Sequence, residues 1–254
     1  MTKKIEIIGL ETIPEILPGD DIAEIILRSC KIEKVPILDN DIIVITSKII
    51  SKAEGRIIDL KKIIPSEKAL KLSVITKKDP RLVELILKES DKILKALPGH
   101  IITLTKNGLV CANAGIDRSN VAGSSEIVIL LPKDPDRSAR IIGKKLENMT
   151  GKKIGIVITD TYGRPFRNGQ VDMAIGVYNV CLYKDYRGTL DLKGYRLRIK
   201  KIALIDEIAA AAELVKGNGA EGIPIAIIRG LEWKNCRESQ INKLYMKEER
   251  WFFK

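Results

Sequence analysis

Two aspartate-containing segments of the sequence follow short apolar runs. Residues 154–159 lead into Asp160 and Thr161, and residues 109–111 lead into a segment that contains Asp117. Open α/β sheets usually bind ligands where their strands end, so these side chains are candidate site residues. The two carboxylates can share one hard cation, and magnesium or manganese is favoured over zinc because neither segment carries Cys or His at zinc spacing. The alternative is that each aspartate caps a loop, which is the commoner role of a single aspartate.

Two further segments have a composition suited to phosphate binding. Residues 217–222 match the G-x-G-x-x-G pattern, but a predicted helix precedes them and a predicted strand follows, which is the reverse of a dinucleotide-binding fold. Their backbone N–H groups can still form an anion nest, and the alternative is a helix C-cap at Gly217. In residues 46–56, a helix would place Lys48 and Lys52 on one face, whereas the alternative is an amphipathic surface turn. The sequence contains no P-loop motif.

Composition describes a globular protein of 254 residues, with 45% apolar and 30% charged residues. This length fits one large domain or two small ones. The apolar runs are too short to span a bilayer, and the N-terminus lacks a signal-peptide pattern, which together predict a cytoplasmic protein. A formal charge of +11 makes the surface attractive to phosphates, nucleic acid or anionic metabolites, and the sign alone does not choose among them.

The four cysteines are far apart in the sequence, at Cys30, Cys111, Cys181 and Cys236. None forms a CxxC pair, so neither a zinc knuckle nor a disulfide scaffold is indicated, and we expect buried, reduced thiols. The sequence is rich in Ile, Lys and Glu and contains only two glutamines. This composition is typical of proteins from hot environments.

The predicted elements are strands and helices in irregular alternation. Strands are predicted at residues 4–8, 41–46, 100–105, 109–113, 126–131, 153–159, 171–178, 195–205 and 224–229, and helices at 20–30, 65–76, 80–97, 135–149 and 206–216. Asp79 and Asp134 are the expected N-caps of two of these helices, and Asn107-Gly108 predicts a hairpin. The pattern indicates a mixed α/β or α+β fold and not a regular doubly wound sheet.

Several longer motifs occur in a fixed order along nearly the whole chain. They are GL near Gly9, PGDD at 18–21, SKIISKAEGR at 47–56, NAGIDRSN at 113–120, ITDTYGRPFR at 158–167, AIG at 174–176, DEIAA at 206–210, and GNGAEGIP with RG within 217–230. With these motifs the chain resembles the coenzyme F-420-0:L-glutamate ligases, which are γ-glutamyl ligases of a deazaflavin coenzyme.

The resemblance implies a ligase that adds L-glutamate to F-420-0 through an acyl phosphate. Such a ligase would use GTP and either Mg²⁺ or Mn²⁺, and K⁺ is a further possible cofactor. It implies a single unit over residues 1–254 with two interleaved α/β subdomains, neither Rossmann nor P-loop, in an intertwined homodimer. The metal ligands carry over to Asp117, Asp160 and Thr161. The GTP contacts carry over to Gly9, Leu10, Glu11, Thr12, Ser47, Lys48, Lys52, Asn120, Lys216, Gly217, Asn218, Gly219, Ala220, Glu221, Gly222 and Ile223.

Two other functions are compatible with parts of the sequence. A metal-dependent phosphohydrolase could use the same two aspartates, and it would release phosphate from GTP without either acceptor. A basic nucleic-acid-binding module is disfavoured by 4% aromatic content and by acids spread among the bases.

Overall fold

A five-stranded sheet with the order β1-β12-β2-β8-β9 lies at the centre of the computed structural model, which describes residues 3–118, 126–236 and 238–252. β2 and β8 run parallel and the other neighbours are antiparallel. The strands are β1 Glu6–Gly9, β2 Ile42–Thr46, β3 Ile57–Asp59, β4 Ser90–Leu97, β5 His100–Thr105, β6 Val110–Ala112, β7 Ile127–Ile129, β8 Gly155–Gly163, β9 Gln170–Tyr178, β10 Lys184–Asp185, β11 Lys201–Ile202 and β12 Ile225–Arg229.

Helices cover both faces of this sheet. Those that do so are α1 Ile22–Ile32, α2 Ser47–Ala53, α5 Pro135–Thr150 and α6 Leu204–Lys216; the other two α-helices of the described residues are α3 Glu67–Thr76 and α4 Pro80–Glu89. Alternate residues of a strand point to opposite faces, so Ile156 and Ile158 pack with α1, α2 and α5, whereas Val157 packs with α6. Because β2 and β8 are buried on both faces, their sequences are continuous apolar runs.

A smaller sheet, β4-β5-β6, packs with α3 and α4 around a separate apolar cluster that includes Leu60, Ile86 and Ile101. The predicted hairpin is confirmed between β5 and β6. Gly108 adopts a positive φ and Asn107 does not, so the turn differs from a primed two-residue turn. The predicted caps are also confirmed, since Asp79 accepts from the backbone N–H of Arg81 and Asp134 from that of Arg137.

Two element predictions are wrong. The helix predicted at residues 80–97 ends at Glu89, and Ser90–Leu97 form β4 because they pair with β5. The strand predicted at 195–205 is reduced to β11, and Leu204 already begins α6. In both segments long-range pairing or helix packing overrides the local periodicity, which is ambiguous over so few residues.

The expectation of four reduced thiols is also wrong. Cys181 and Cys236 form a disulfide with their Cα atoms 5.0 Å apart, whereas Cys30 and Cys111 are free. An isolated bridge between Val180 and Asn235 places the two cysteines side by side. Their separation of 55 residues gives no sequence signal for such pairing.

Within the described ranges, no helix combines the length and the apolar character that crossing a membrane requires.

Candidate active site

The predicted site segments meet at one edge of the five-stranded sheet. β2 ends there at Thr46, opposite Thr159 of the parallel strand β8, which continues to Gly163 beside β9. The antiparallel strands β12 and β9 begin there, and β1 ends there, since Gly9 is paired with Ala226. The order and direction of the strands therefore bring together residues that are far apart in the sequence, from Gly9 to Ala226. Asn120, which the sequence also assigned to this site, lies outside the described residues.

On the α2 side of the sheet, hydroxyl, ammonium and carboxylate groups lie together. The hydroxyl of Ser47, the first residue of α2, donates to Asp160 Oδ1 at 2.6 Å. Lys48 Nζ lies 2.8 Å from Asp117 Oδ2. The observed helix confirms the prediction that Lys48 and Lys52, which are four residues apart, lie on one helix face. Lys52, however, pairs with Glu15 at 2.5 Å.

On the α6 side of the sheet, Thr161 belongs to a second hydrogen-bond network. Its hydroxyl donates to Asp172 Oδ1 at 3.1 Å and accepts from Asn218 Nδ2 at 2.9 Å. Lys216 Nζ donates to Asp172 Oδ2 at 2.7 Å, and only 1% of its side chain is exposed. Thr161 thus faces away from Asp160, because adjacent strand residues point to opposite faces.

The glycine-rich loop after α6 has the predicted helix–loop–strand order. Gly217 ends α6 as its C-cap, with φ of 64°, and β12 follows the loop. The side chain of Glu221 folds back, and its Oε2 accepts from the backbone N–H of Gly219 at 2.7 Å. A carboxylate of the loop itself therefore occupies this N–H group.

The segment that begins at Gly9 lies against this loop. A Cβ atom at Gly9 would meet Val215 and Ile223 at 2.7 and 2.8 Å, so only glycine allows this approach. Leu10 is fully buried, and its N–H donates to the carbonyl of Ile225. Thr12 donates from its N–H and its hydroxyl to Glu33, at 2.8 and 2.7 Å.

Comparison with known proteins adds the decisive observation. Residues 11–230 match the model of the family described as F420-0:Gamma-glutamyl ligase. The chain belongs to this ligase family. It is 46% identical over 233 residues to the coenzyme F420:L-glutamate ligase of Methanothermobacter thermautotrophicus, covering 92% of each chain. It is 47% identical over 228 residues to that of Methanocaldococcus jannaschii, covering 90% of this chain and 88% of the relative.

The donor set of this family member fits a hard cation that also binds phosphate. In the part of the chain that the structure describes, no three His, Cys, Asp or Glu side chains form a metal-binding group by themselves. Mg²⁺ typically uses one or two protein carboxylates together with substrate phosphates and waters. The carboxylates of Asp160 and Asp117, which are close enough to interact electrostatically, meet that requirement.

Burial has the largest effect on the pKa of Asp160, and neighbouring negative charges add to it. Burial, together with the charges of Asp172 and Asp117, raises the pKa of Asp160 to about 7, against the opposing effects of Ser47 and Lys48. Burial and the Asp160 charge also raise the pKa of the Cys111 thiol to about 12. Cys111 is therefore protonated at neutral pH and is not a nucleophile.

The raised pKa of Asp160 predicts how stability depends on pH when chelator is present. Its folded-state pKa of about 7 lies above the ordinary 3.8, so its stabilising contribution is complete below about pH 4 and is lost as pH rises through 7. Asp160→Asn removes the charge, and we expect its melting temperature to exceed that of the wild type by more at pH 8 than at pH 5. Scanning calorimetry with EDTA measures this difference. An equal difference at both pH values would contradict the assignment.

Sequence reasoning missed two carboxylates of the site, Asp172 and Glu213. Asp172 is 5% exposed, and Glu213 Oε2 accepts from its backbone N–H at 2.8 Å. The sequence did contain a signal for Asp172, because it is a charged residue within a predicted strand that is otherwise mostly apolar. A charged residue is buried in such a strand only when it is paired with another group. Glu213 carried no such signal, since acids are common on helices.

Proposed function

We propose that this chain catalyses the GTP-dependent addition of L-glutamate to coenzyme F-420-0, releasing GDP and phosphate, and that it adds successive γ-linked residues. The relatives described above bear the name of this ligase, and they align with about nine-tenths of the chain. The observation that carries the proposal is the convergence of Ser47, Lys48, Asp117 and Asp160 at one sheet edge. GTP and glutamate are metabolites of the cytoplasm, where we expect the enzyme to work.

The proposed reaction has two balanced steps. The γ-phosphoryl group of GTP is transferred to the terminal carboxylate of F-420-0, which forms an acyl phosphate and releases GDP. The amine of L-glutamate then attacks the acyl carbon, loses a proton, and displaces phosphate as the amide bond forms. Phosphoryl transfer depends mainly on positioning and charge stabilisation, so the protein needs cations beside the phosphates.

The side chains at the edge match those requirements. Bound Mg²⁺ or Mn²⁺ would neutralise charge between the phosphates and the carboxylates of Asp160 and Asp117. Lys48 adds a cation on the same side of the sheet, and Ser47 holds Asp160 in place. Backbone N–H groups of the loop from Gly217 to Ile223 would bind the nucleotide phosphates once the Glu221 carboxylate leaves the N–H of Gly219.

A direct assay tests the proposal. Purified protein with GTP, MgCl₂ or MnCl₂, L-glutamate and F-420-0 should yield a product heavier by one or more glutamyl units in mass spectrometry. Reactions without F-420-0, without glutamate, with ATP in place of GTP, and with EDTA are the controls. If GTP is consumed at the same rate when both acceptors are absent, the phosphohydrolase alternative replaces the ligase.

We also propose a homodimer, in line with the family resemblance. The segment of residues 184–202, which includes β10 and β11, exposes large apolar side chains at Leu190, Leu192, Tyr195 and Ile199. Leu192 and Ile199 are at least 90% exposed, and such a patch on one segment is typical of a protein interface. Sedimentation should give twice the chain mass of 28.3 kDa. A fully active monomer would overturn this part of the proposal.

A further inference from the structure

A cavity of about 840 Å³ lies at the sheet edge opposite the candidate active site. Its walls are the second half of α5, the residues that lead into β8, the end of β9, and residues 235–243 of the C-terminal segment. β8 begins at this edge with Gly155 and reaches Asp160 after about 17 Å of strand. The cavity is therefore a separate place from the site that contains Asp160.

Five cationic side chains and two carboxylates line this cavity. The cations are Arg140, Lys144, Lys152, Lys153 and Lys243, and the carboxylates are Glu147 and Glu238. Among the described residues, only Lys152 of these five cations has a carboxylate partner, which is Asp39 at 3.5 Å. Lys243 Nζ donates to the backbone carbonyl of Glu238 at 3.1 Å. The lining thus has a clear excess of positive charge.

Glu147 is held in the floor of the cavity by neutral groups. Its Oε2 accepts from the hydroxyl of Tyr178 at 2.7 Å. Its Oε1 accepts from Asn179 Nδ2 at 3.0 Å and from the backbone N–H of Ile154 at 3.3 Å. Asn179 is only 4% exposed, so this part of the floor is fixed. Because neutral donors satisfy the Glu147 carboxylate, the cations of the cavity keep their N–H donors for another anion.

The positions of the cations are unfavourable for the protein alone. Arg140 and Lys144 are four residues apart on α5, so their like charges lie on one helix face and repel each other. Lys152 and Lys153 follow the same helix directly. A bound anion would remove this repulsion, and it would gain charge-assisted hydrogen bonds from the same groups.

The C-terminal wall of the cavity is anchored by contacts with distant residues. Cys236 is joined to Cys181 by the disulfide. The backbone carbonyl of Lys243 accepts from the hydroxyl of Tyr183 at 3.1 Å. The cavity is therefore formed before any ligand binds, and its volume lies within the range of about 300–1,000 Å³ that is usual for small-molecule sites.

We propose that this cavity binds a small molecule that carries a diphosphate or triphosphate group. Such a group carries several negative charges close together, which matches the excess of cations in the lining. The guanidinium group of Arg140 and the ammonium groups of the lysines are the side chains that bind phosphate oxygens most strongly. The ligand would be distinct from the GTP of the proposed ligase reaction, and the inference does not depend on that reaction.

Isothermal titration calorimetry in EDTA tests this site without the metal that the proposed ligase reaction uses. The probes are ATP and inorganic triphosphate, and citrate is the anion without phosphate. We expect one phosphate ligand per chain, and an affinity at least about tenfold lower in the double variant Arg140→Ala/Lys144→Ala. Tighter binding of ATP than of triphosphate would assign a nucleotide, and equal binding would assign a free polyphosphate. Citrate bound as tightly as triphosphate would overturn the assignment to phosphate.

A charge-matched variant separates this site from general attraction to a protein of net charge +11. Lys61→Ala/Lys62→Ala removes the same charge at two exposed lysines outside the cavity, and it should leave the affinity unchanged. Lys243→Ala changes the opposite wall and should also weaken binding. Equal losses in the two double variants, or unchanged binding in Lys243→Ala, would overturn the proposal. If the wild type bound neither phosphate probe, the proposal would fail while the ligase function stood.

Discussion

Asp160→Asn and Asp117→Asn should each nearly abolish ligase turnover while leaving the protein folded. Each substitution keeps the side-chain shape but removes one negative charge from the group that would hold the cation beside the nucleotide phosphates. Because Asp160 and Asp117 repel each other, the melting temperature measured with EDTA should not fall. Turnover and melting temperature measured on the same two preparations test this expectation.

The opposite pattern is expected at a purely structural carboxylate. Asp136 accepts from the backbone N–H groups of Val177 and Ile241, both at 2.9 Å, so Asp136→Asn should lower the melting temperature and leave turnover intact. Asp160 differs from such a carboxylate, because among the described residues its hydrogen bond comes from the Ser47 hydroxyl. If Asp160→Asn proved destabilised but active, as a loop cap would be, the metal-site assignment would be wrong.

Gly176→Ala should destabilise the protein by about 3 kcal/mol, at the upper end of the usual effect of overpacking. A Cβ atom at this position would lie 2.6 Å from Pro135 Cβ and 2.7 Å from its carbonyl carbon and oxygen. Pro135 is the first residue of α5, so the helix start or β9 would have to shift. Denaturant unfolding followed by circular dichroism measures the loss in the free energy of unfolding.

Gly163→Ala is the matched control in the same sheet. Gly163 ends β8, and a Cβ atom there would meet no atom within 4 Å. Its unfolding free energy should therefore stay within about 0.5 kcal/mol of the wild-type value, as for most surface substitutions. A similar loss in both variants would mean that intrinsic strand propensity, and not the contact with Pro135, accounts for the effect.

The sequence by itself determined the elements whose signals are local. The strand that leads into Asp160 was predicted because a run of β-branched residues needs a sheet buried on both faces. The starts of α4 and α5 were predicted because an aspartate before proline supplies a helix cap. Family motifs then named Asp117, Asp160 and Thr161, since long motifs in order identify homologous positions.

Only the tertiary structure decided what depends on partners distant in sequence. Ser90–Leu97 became a strand because β5 was available to pair with it, and Cys181 met Cys236 because the C-terminal segment returns beside the end of β9. The burial of Lys216 against Asp172 likewise needs α6 to pack across β9. Such pairings depend on the directions and order of strands, and local propensity contains no information about which distant residue will supply the partner.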